Sequence, residues 1–543
     1  MPERDTIFDV CVVGSGAGGA PATAFLAKQG LRVAILERGV NYSARDIRKD
    51  ELTACRRPMF RPDYRKGARE ILYGNEPPLR GNHLWTGTCV GGGTRVMSGF
   101  FFRMKEQDFT PRSSFGTVDG ATHLDWPISR ADLEPYYDQV EADIGMSGDA
   151  AHMPDRRKPF PFPPLKEHPV SVLLDRGCKS LGYHPFATPR AVLSQKWNDR
   201  GECSYSGFCG SYGCMTGAKA STHETYIRMA LETGRVTLLP QHYVYRLDTD
   251  GTRITRAHFF NPDSVPGTIQ ARIFLLACST IETARLLLNS RSERFPNGCA
   301  NSSGQVGKNL TFTMPAEVTG FFPKELFPEP KDCESPFVQR SIQDFHTLES
   351  DALVYPRGGT VVFILPHPNP INRMIALSYD EQGKRIFGHA LKQKARQFFS
   401  YNHLQSDTFI EFLPNPETYV TLSHTVRDYW GIPSAKIAIR HHPENIRVSH
   451  HIAGKVAEIF QAMGAVGVQY NPSPFTAGEV QHGTCRFGTD PKTTVLDPHC
   501  RSHDIKNLYV TDGSFMPSGI PVPSTFTIMA NSLRVGDYIY RNG

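Results

Sequence analysis

The sequence has neither a long apolar run nor a strong charge of one sign. No stretch of the 543 residues approaches the run of about eighteen apolar residues that a membrane-spanning helix needs. Lysine and arginine number 60 against 54 aspartate and glutamate, a formal net charge of +6, and no basic run is interleaved with aromatic residues. We therefore expect a protein that is not integral to a membrane and does not bind nucleic acid.

An export signal is also lacking at the start of the sequence. Residues 1–6 lead directly into an apolar run, without the basic and apolar segments of a signal peptide. The 12 cysteines are few for this length and most stand alone, which is typical of reduced thiols rather than of a disulfide framework. These features predict a cytoplasmic protein. Export while bound to a signal-bearing partner is the alternative.

A glycine-rich turn between two predicted strands is the first motif that is present. Residues 8–13 lead into Gly14, Gly16 and Gly19, then into a helix-like segment and a second apolar run that ends at Glu37. These glycines allow a tight turn, a close approach of pyrophosphate and tight helix–strand packing, and Glu37 can accept hydrogen bonds from a ribose. This order predicts a dinucleotide site; a glycine turn without a ligand is the alternative.

Three further segments resemble, in order and spacing, motifs of the glucose–methanol–choline (GMC) flavoprotein oxidoreductases. They are residues 83–103 (HLWTGTCVGGGTRVMSGFFFR), 273–290 (IFLLACSTIETARLLLNS) and 507–536 (NLYVTDGSFMPSGIPVPSTFTIMANSLRVG). The resemblance covers essentially the whole chain. Residues 217–222 and 487–497 (FGTDPKTTVLD) resemble most the branch that holds the gluconate, fructose and glucose dehydrogenase catalytic subunits.

The resemblance implies an α/β fold with non-covalent FAD. A discontinuous, Rossmann-like FAD-binding domain of GMC type would comprise residues 1–160, residues 161–314 and, with the active-site loop, residues 479–543. Residues 315–478 would form a substrate-binding domain with a mainly antiparallel sheet flanked by helices. The strand-like runs 359–365 and 436–439 and a helix around 446–463 fall in this last stretch.

The resemblance also assigns contacts to FAD. The backbone of residues 91–94 would pass close to the flavin and diphosphate, Asp512 would hold the ribityl region, and a last helix capped by Ser524 or Thr525 would point its positive end at the flavin. An ordinary glycine loop and a helix cap at Asp512 are the alternatives. The predicted contacts are Gly14, Gly16, Ala17, Gly19, Glu37, Arg38, Gly92, Gly93, Thr94, Ser98 (an Asn in the family), Val244, Cys278, Asp512, Gly513, Ser524 and Thr525.

Three cysteines lie close together in the glycine-rich segment 202–214. Cys203, Cys209 and Cys214 are soft thiol ligands on a loop that can wrap around zinc or an iron–sulfur cluster. Some related dehydrogenase subunits hold a three-iron cluster with nearly this spacing, and some have a further Cys where Ser206 stands. A three-iron cluster is thus the predicted metal site. A loop packed by half-buried thiols without metal is the alternative.

The family's proton-accepting residues are missing from their usual positions. The resemblance implies a His at position 480 and a His or Asn at position 523, but Val480 and Pro523 stand there. His482 lies two residues from Val480 in the same loop, and a neutral imidazole can accept a proton at neutral pH. We therefore predict His482 as the catalytic base. A histidine held in a turn is the alternative, and His223 or the pair 441–442 would supply the base from elsewhere.

These features together predict an FAD-dependent oxidoreductase. It would oxidise the CH–OH group of a sugar, polyol or related alcohol by hydride transfer to the flavin. Electrons would pass to an external acceptor, such as a protein or a small partner subunit. An oxygen-using GMC oxidase is one alternative, and a non-redox flavoprotein, lyase-like or structural, is the other, because the usual His/Asn pair is lost.

Overall fold

A computed structural model describes residues 7–543 except 57–58, 82–83, 85, 152, 154–155, 157, 328–332, 381 and 471–479. The start of the first predicted stretch, the start of the motif 83–103 and the end of the predicted substrate domain thus lie outside the described residues. The helices are α1 (Ala20–Lys28), α2 (Tyr64–Gly67), α3 (Pro111–Phe115), α4 (Arg130–Ile144), α5 (Ser171–Ser180), α6 (Tyr226–Glu232), α7 (Thr280–Asn289), α8 (Pro370–Leu377), α9 (Gly388–Phe399), α10 (Pro443–Ala462) and α11 (Thr525–Asn542).

The strands of the described residues form three sheets. They are β1 (Ile7–Val13), β2 (Val33–Glu37), β3 (Arg69–Tyr73), β4 (Leu79–Gly81), β5 (Phe186–Ala187), β6 (Val236–Pro240), β7 (Tyr243–Thr249), β8 (Ile254–Phe260), β9 (Pro266–Leu276), β10 (Thr311–Met314), β11 (Val318–Phe322), β12 (Phe337–Ile342), β13 (Gly359–Ile364), β14 (Asn402–Glu411), β15 (Tyr419–Arg427), β16 (Pro433–Ile439), β17 (Gly467–Tyr470), β18 (Gln481–His482) and β19 (Leu508–Val510).

The first sheet joins segments from distant parts of the chain. Its strand order is β6-β2-β1-β9-β8-β7, with β19 also paired to β9. Strands β6, β2, β1, β9 and β19 run parallel, whereas β7 and β8 are antiparallel. Val10, Cys11 and Val12 in the middle of β1 are fully buried, as expected for a parallel sheet with both faces covered. This sheet therefore has the predicted Rossmann-like architecture, and it is assembled from separate parts of the chain, as predicted.

Helices α1 and α11 cross closely on this sheet because small residues meet there. A Cβ built on Gly536 would lie 3.3 Å from Cα of Ala22. At the same crossing, the amide of Ala22 donates to Oγ of Ser532 (3.1 Å), and that hydroxyl donates to the carbonyl of Gly18 (2.6 Å). The crossing therefore attaches the carboxyl-terminal helix directly to the glycine-rich turn.

The second sheet is antiparallel, with the order β17-β11-β14-β13-β12-β5 and with β10 joined to β14 and β18. It confirms the predicted antiparallel sheet, and it also recruits β5, β10 and β18 from outside residues 315–478. The predicted helix around 446–463 is α10, and the predicted strands are β13 and β16. The third sheet, β15-β16-β3-β4, joins β3 and β4 of the first stretch to β15 and β16. No helix in the described part of the chain has both the length and the apolar character needed to span a bilayer.

Candidate active site

A deep cleft lies beyond the carboxyl ends of strands β1, β2 and β9, where ligands bind in open parallel sheets. It encloses about 1570 Å³ of empty space, including its open mouth. The turn after β1 forms one wall. Gly14 has φ +103°, and a Cβ there would overlap the carbonyl oxygen of Ala277; a Cβ on Gly19 would overlap the carbonyl oxygen of Gly14. These two glycines are thus required by the fold itself.

Gly16 differs from the glycines on either side of it. Its φ is not positive, and a Cβ built on it would find its nearest neighbour, Cα of Gly92, 3.8 Å away. Gly16 also lines the cleft. The protein alone therefore leaves room for a side chain at this position, and the close approach of a pyrophosphate is the remaining physical reason for a glycine there.

Glu37 is held at the end of β2 by three hydrogen bonds. Oε2 accepts from the amide (3.2 Å) and the hydroxyl (2.7 Å) of Ser15, and Oε1 accepts from the amide of Gly39 (2.9 Å). Burial raises the pKa of Glu37, and these bonds oppose that rise. The carboxylate is therefore fixed in the cleft wall, in the position that the sequence predicts for a ribose-binding acid.

Asp512 joins the end of β19 to the start of α7. Its Oδ1 accepts from the amide (2.9 Å) and hydroxyl (2.5 Å) of Ser514, and its Oδ2 accepts from the amide of Ser279 (3.1 Å) and the hydroxyl of Thr283 (2.5 Å). Burial raises the pKa of Asp512 while these four donors lower it. The Asp512 carboxylate thereby connects the residues that follow β19 with the start of α7 at one end of the cleft.

The start of α11 closes another part of the cleft. Ser524 and Thr525 line the cleft, and the side chain of Ser524 makes no capping hydrogen bond to the helix. The positive end of the helix dipole thus lies at the cleft wall, where it favours negative charge on a ligand.

Most of the predicted FAD contacts come together in this cleft. Those that line it are Gly14, Gly16, Ala17, Glu37, Arg38, Gly92, Gly93, Thr94, Val244, Cys278, Asp512, Gly513, Ser524 and Thr525. Two predicted contacts do not: Gly19 packs behind the turn, and Ser98 lines the adjoining cavity instead. Val96 and Met97 still line the cleft but Ser98 does not, so the structure does not place Ser98 at the predicted flavin-contact position in the cleft.

An ion cluster that the sequence does not reveal lies at the cleft wall. Glu282 on α7 pairs with Arg69 (2.6 Å), Arg38 (3.5 Å) and Arg285 (3.2 Å). Burial tends to raise the pKa of Glu282, but the three guanidinium groups outweigh it and hold the pKa below its usual range. The segment 273–290 carries Glu282 and Arg285 within its motif, but nothing in the sequence shows that Arg69 joins them from β3.

A second cavity opens beside the cleft and shares Val96, Met97, Val480 and Thr525 with it. It encloses about 1480 Å³ of empty space and lies between the antiparallel sheet and the cysteine-rich segment. Pro523 also lines it. Its polar lining side chains are Ser98, Ser211, Thr313, Glu317, Thr319, His367, Gln405, Ser406, Asp407, Thr408 and Thr525. Val480 and Pro523, which stand where the family's proton-accepting residues are missing, therefore both face this cavity.

His482 does not reach either cavity. It lies in β18, which pairs with β10 through Thr311, and its side chain is fully buried. Neither ring nitrogen has a partner among the described residues, and burial lowers the pKa of His482 to about 3. The loop faces the cleft through Val480, as predicted, but the predicted placement of His482 beside it is corrected, because the protein encloses the His482 ring where β18 pairs with β10.

The other candidate histidines of the sequence analysis are held elsewhere. His223 contacts Glu224 (2.8 Å) and Asn41 (3.0 Å). His442 contacts the carbonyl of Asp119 (2.8 Å), and His441 is a buried ring packed on Phe412 at 5.3 Å between centroids. None of the three lines the cleft or the second cavity.

The three clustered cysteines line one small cavity. Cys203, Cys209 and Cys214 share it with the buried cations Lys219 and Arg190. The ammonium group of Lys219 donates to the carbonyls of Gly210 (3.0 Å) and Arg95 (3.2 Å). Burial tends to raise the pKa of Cys214, but the charge of Lys219 and nearby donors bring the pKa below its usual value. Within the described ranges, no three His, Cys, Asp or Glu side chains are grouped so that they could hold a metal ion.

Comparison with known proteins matches this chain to one family. The sequence matches the profile of GMC oxidoreductases over residues 19–314 and again over residues 414–532. It is 30% identical to paromamine 6'-oxidase of Streptomyces fradiae, over 99% of this chain and 93% of that protein. It is 28% identical to the fructose dehydrogenase large subunit of Gluconobacter japonicus, over 83% and 80% of the two chains. The solved formate oxidase of Aspergillus oryzae has a similar fold, with a TM-score of 0.64 at 14% identity over 99% and 98% of the chains.

Proposed function

The chain belongs to the GMC oxidoreductases, FAD-dependent enzymes that act on CH–OH donors, and from this premise we propose that its donor is a sugar, polyol or related alcohol and its electron acceptor is not oxygen. The family resemblance read from the sequence is thereby confirmed. One observation supports the alcohol donor above all others. The cleft that contains the glycine turn, Glu37, Asp512 and the start of α11 opens into a polar cavity through shared residues.

The residues of the cleft fit FAD. Gly16 leaves a gap that a pyrophosphate would fill, Glu37 offers a fixed carboxylate to a ribose, and the start of α11 offers unpaired N–H groups to negative charge. Bound FAD would supply the acceptor for a hydride from the alcohol carbon. The second cavity would hold the alcohol beside Val480 and Thr525.

The proposal is tested by anaerobic bleaching of the flavin. We expect purified protein supplemented with FAD to be yellow and to lose its absorbance when D-glucose, D-fructose, D-gluconate or paromamine is added without oxygen. The reduced protein should then be reoxidised faster by an artificial acceptor such as ferricyanide than by air. Faster reoxidation by air would favour an oxidase. No bleaching by any of these alcohols would favour a non-redox flavoprotein.

Two carboxylates of the second cavity favour a donor with an amino group. Glu317 directly precedes β11 and Asp407 lies in the neighbouring strand β14, each next to a member of the cross-strand pair of Val318 and Ser406. The described lining of the cavity contains no Lys or Arg. Both carboxylates also have partners within the protein, so their charge rather than a vacant hydrogen bond supports this preference. We therefore expect paromamine, the donor in a relative's name, to bleach the flavin at lower concentration than the neutral sugars.

We further propose that Cys203, Cys209 and Cys214 hold a three-iron cluster that passes electrons to a partner protein. Three thiols line one cavity, and buried Lys219 and Arg190 supply positive charge that would offset thiolates. A cluster is several atoms across, so its ligands stand further apart than those of a single ion. The relative from Gluconobacter japonicus is named a large subunit, which supports a partner subunit here too.

Iron analysis tests the cluster. Protein purified without oxygen should contain iron and acid-labile sulfide in similar amounts, and Cys209→Ser should remove both while FAD stays bound. Cys299→Ser is the matched control, because Cys299 is buried outside the cavity and should leave the iron content unchanged. Zinc, or an absence of metal in the parent, would contradict the cluster.

A further inference from the structure

The second cavity contains one histidine among its described lining residues. Oxidation of an alcohol requires a group that accepts the hydroxyl proton, and Val480 and Pro523 cannot do so. His367 lines the same cavity as both of them. It follows β13 in a stretch of sequence that carries no family motif.

The position of the His367 ring is set by the cysteine-rich segment. A Cβ built on Gly210 would lie 3.3 Å from Cε1 and 3.6 Å from Nε2 of His367, and 3.8 Å from Oγ of Ser98. The Cε1–Nε2 edge of the ring thus lies against Gly210, and both residues line the cavity. On another side, the ring packs edge-on against Phe337, with 6.0 Å between centroids.

The backbone around His367 is held in place by two donors. Its carbonyl accepts from the amide of Asn369 (2.8 Å) and from the guanidinium of Arg373 (3.2 Å). Nδ1 of the ring is buried and has no hydrogen-bond partner among the described residues. The imidazole is thus held by packing, with neither nitrogen already engaged by a carboxylate that would keep it protonated.

The charges around His367 favour its neutral form. Burial lowers the pKa of His367 to about 4, and the charges of Lys219 and Arg373 contribute to that decrease. Glu317 and Asp407 are the other charged side chains that line the cavity. At neutral pH the ring is therefore neutral and able to accept a proton.

We propose that His367 is the catalytic base that accepts the hydroxyl proton of the substrate, in place of the side chains missing at positions 480 and 523. This role rests on the proposed function. In the balanced step, the alcohol loses its O–H proton to the imidazole and a hydride from its carbon to bound FAD, so that a carbonyl forms. The imidazolium then releases the proton to solvent.

Stopped-flow reduction of the flavin tests the role, with paromamine and D-fructose as probes. His367→Ala and His367→Gln should keep FAD but slow reduction about a hundredfold to ten-thousandfold, the usual cost of losing a general base. Added imidazole should restore part of the rate to His367→Ala and none to His367→Gln. His441→Ala is the matched control, because His441 is a buried histidine whose pKa is also lowered to about 4, but it lines neither cavity.

A readout without turnover separates a base from a structural ring. In protein labelled with ¹³C-histidine, the signal lost in His367→Gln should titrate near pH 4 and shift when paromamine is added. A reduction rate of His367→Gln within fivefold of the parent would overturn the role, as would a rate loss confined to His482→Ala. A parent that no probe bleaches overturns the proposed function as well, whereas a bleached parent beside a fast His367→Gln overturns the base alone.

Discussion

Replacing Gly16 with alanine is expected to remove FAD from the protein while leaving it folded. The added methyl group finds no protein atom closer than 3.8 Å, and the backbone at Gly16 is not in the left-handed region, so the apoprotein tolerates it. The methyl group would, however, occupy the place where the pyrophosphate approaches the turn. We expect the Kd for FAD to rise at least about a hundredfold, equivalent to about 3 kcal/mol. Fluorescence titration of apoprotein with FAD measures it.

Two other glycines give the controls for this experiment. Gly14→Ala should fail to fold, because its Cβ would overlap the carbonyl of Ala277 and its φ is +103°. Gly454→Ala should retain normal FAD affinity and be slightly more stable, since Gly454 lies within α10 with nothing within 4 Å of its Cβ. Normal FAD affinity in Gly16→Ala would mean that the pyrophosphate does not pass this turn.

The parts of the cleft that the sequence predicts are those with strict local requirements. Gly14 must be glycine because its φ is positive, and Glu37 follows a strand whose apolar pattern is plain in the sequence. The start of α11 at Thr525 follows from a predicted cap and helical spacing of apolar residues, and the same spacing predicts α10 around 446–463, although α10 begins earlier, at Pro443. Local geometry of this kind restricts which residue types can stand nearby in the sequence, so a single sequence is enough to find it.

The histidine that we propose as the proton acceptor in the second cavity could not be predicted in the same way. His367 reaches the cavity because β13 pairs with β14 and the following loop meets Gly210, and these contacts join residues far apart in the chain. An extended loop would have kept His482 on the same face as Val480, towards the flavin. Instead, the ring of His482 is fully buried where β18 pairs with β10. The places of His367 and His482 in the structure therefore depend on tertiary strand pairing.

Loss of Arg357 should destabilise the protein more than any surface substitution. Arg357 is fully buried and bonds to Asp108 (2.6 Å) and Glu411 (2.9 Å), which are themselves buried. Asp108 precedes α3 in the chain, whereas Glu411 ends β14 of the antiparallel sheet. Arg357→Ala would leave Glu411 buried without this cation and Asp108 with only His346 beside it, which costs about 3–5 kcal/mol. Urea unfolding followed by flavin release and by circular dichroism measures the loss.

The pH dependence distinguishes this network from simple packing. Burial tends to raise the pKa of Asp108, but the charges of His346 and Arg357 outweigh it and hold the pKa below its usual range. The parent therefore keeps this stabilisation above pH 4 and loses it as the pH falls through the lowered value. In Arg357→Ala the remaining burial should raise the pKa of Asp108, so the deficit relative to the parent should begin to shrink above about pH 4, as the pH falls through the raised value and Asp108 is buried as a neutral acid. It should shrink further below about pH 4, where the parent loses its own stabilisation. A deficit that is constant with pH would mean that Arg357 acts only by filling space.

Arg541→Ala is the control: its side chain is 70% exposed beside Asp537, and its loss should change stability by less than about 0.5 kcal/mol at any pH.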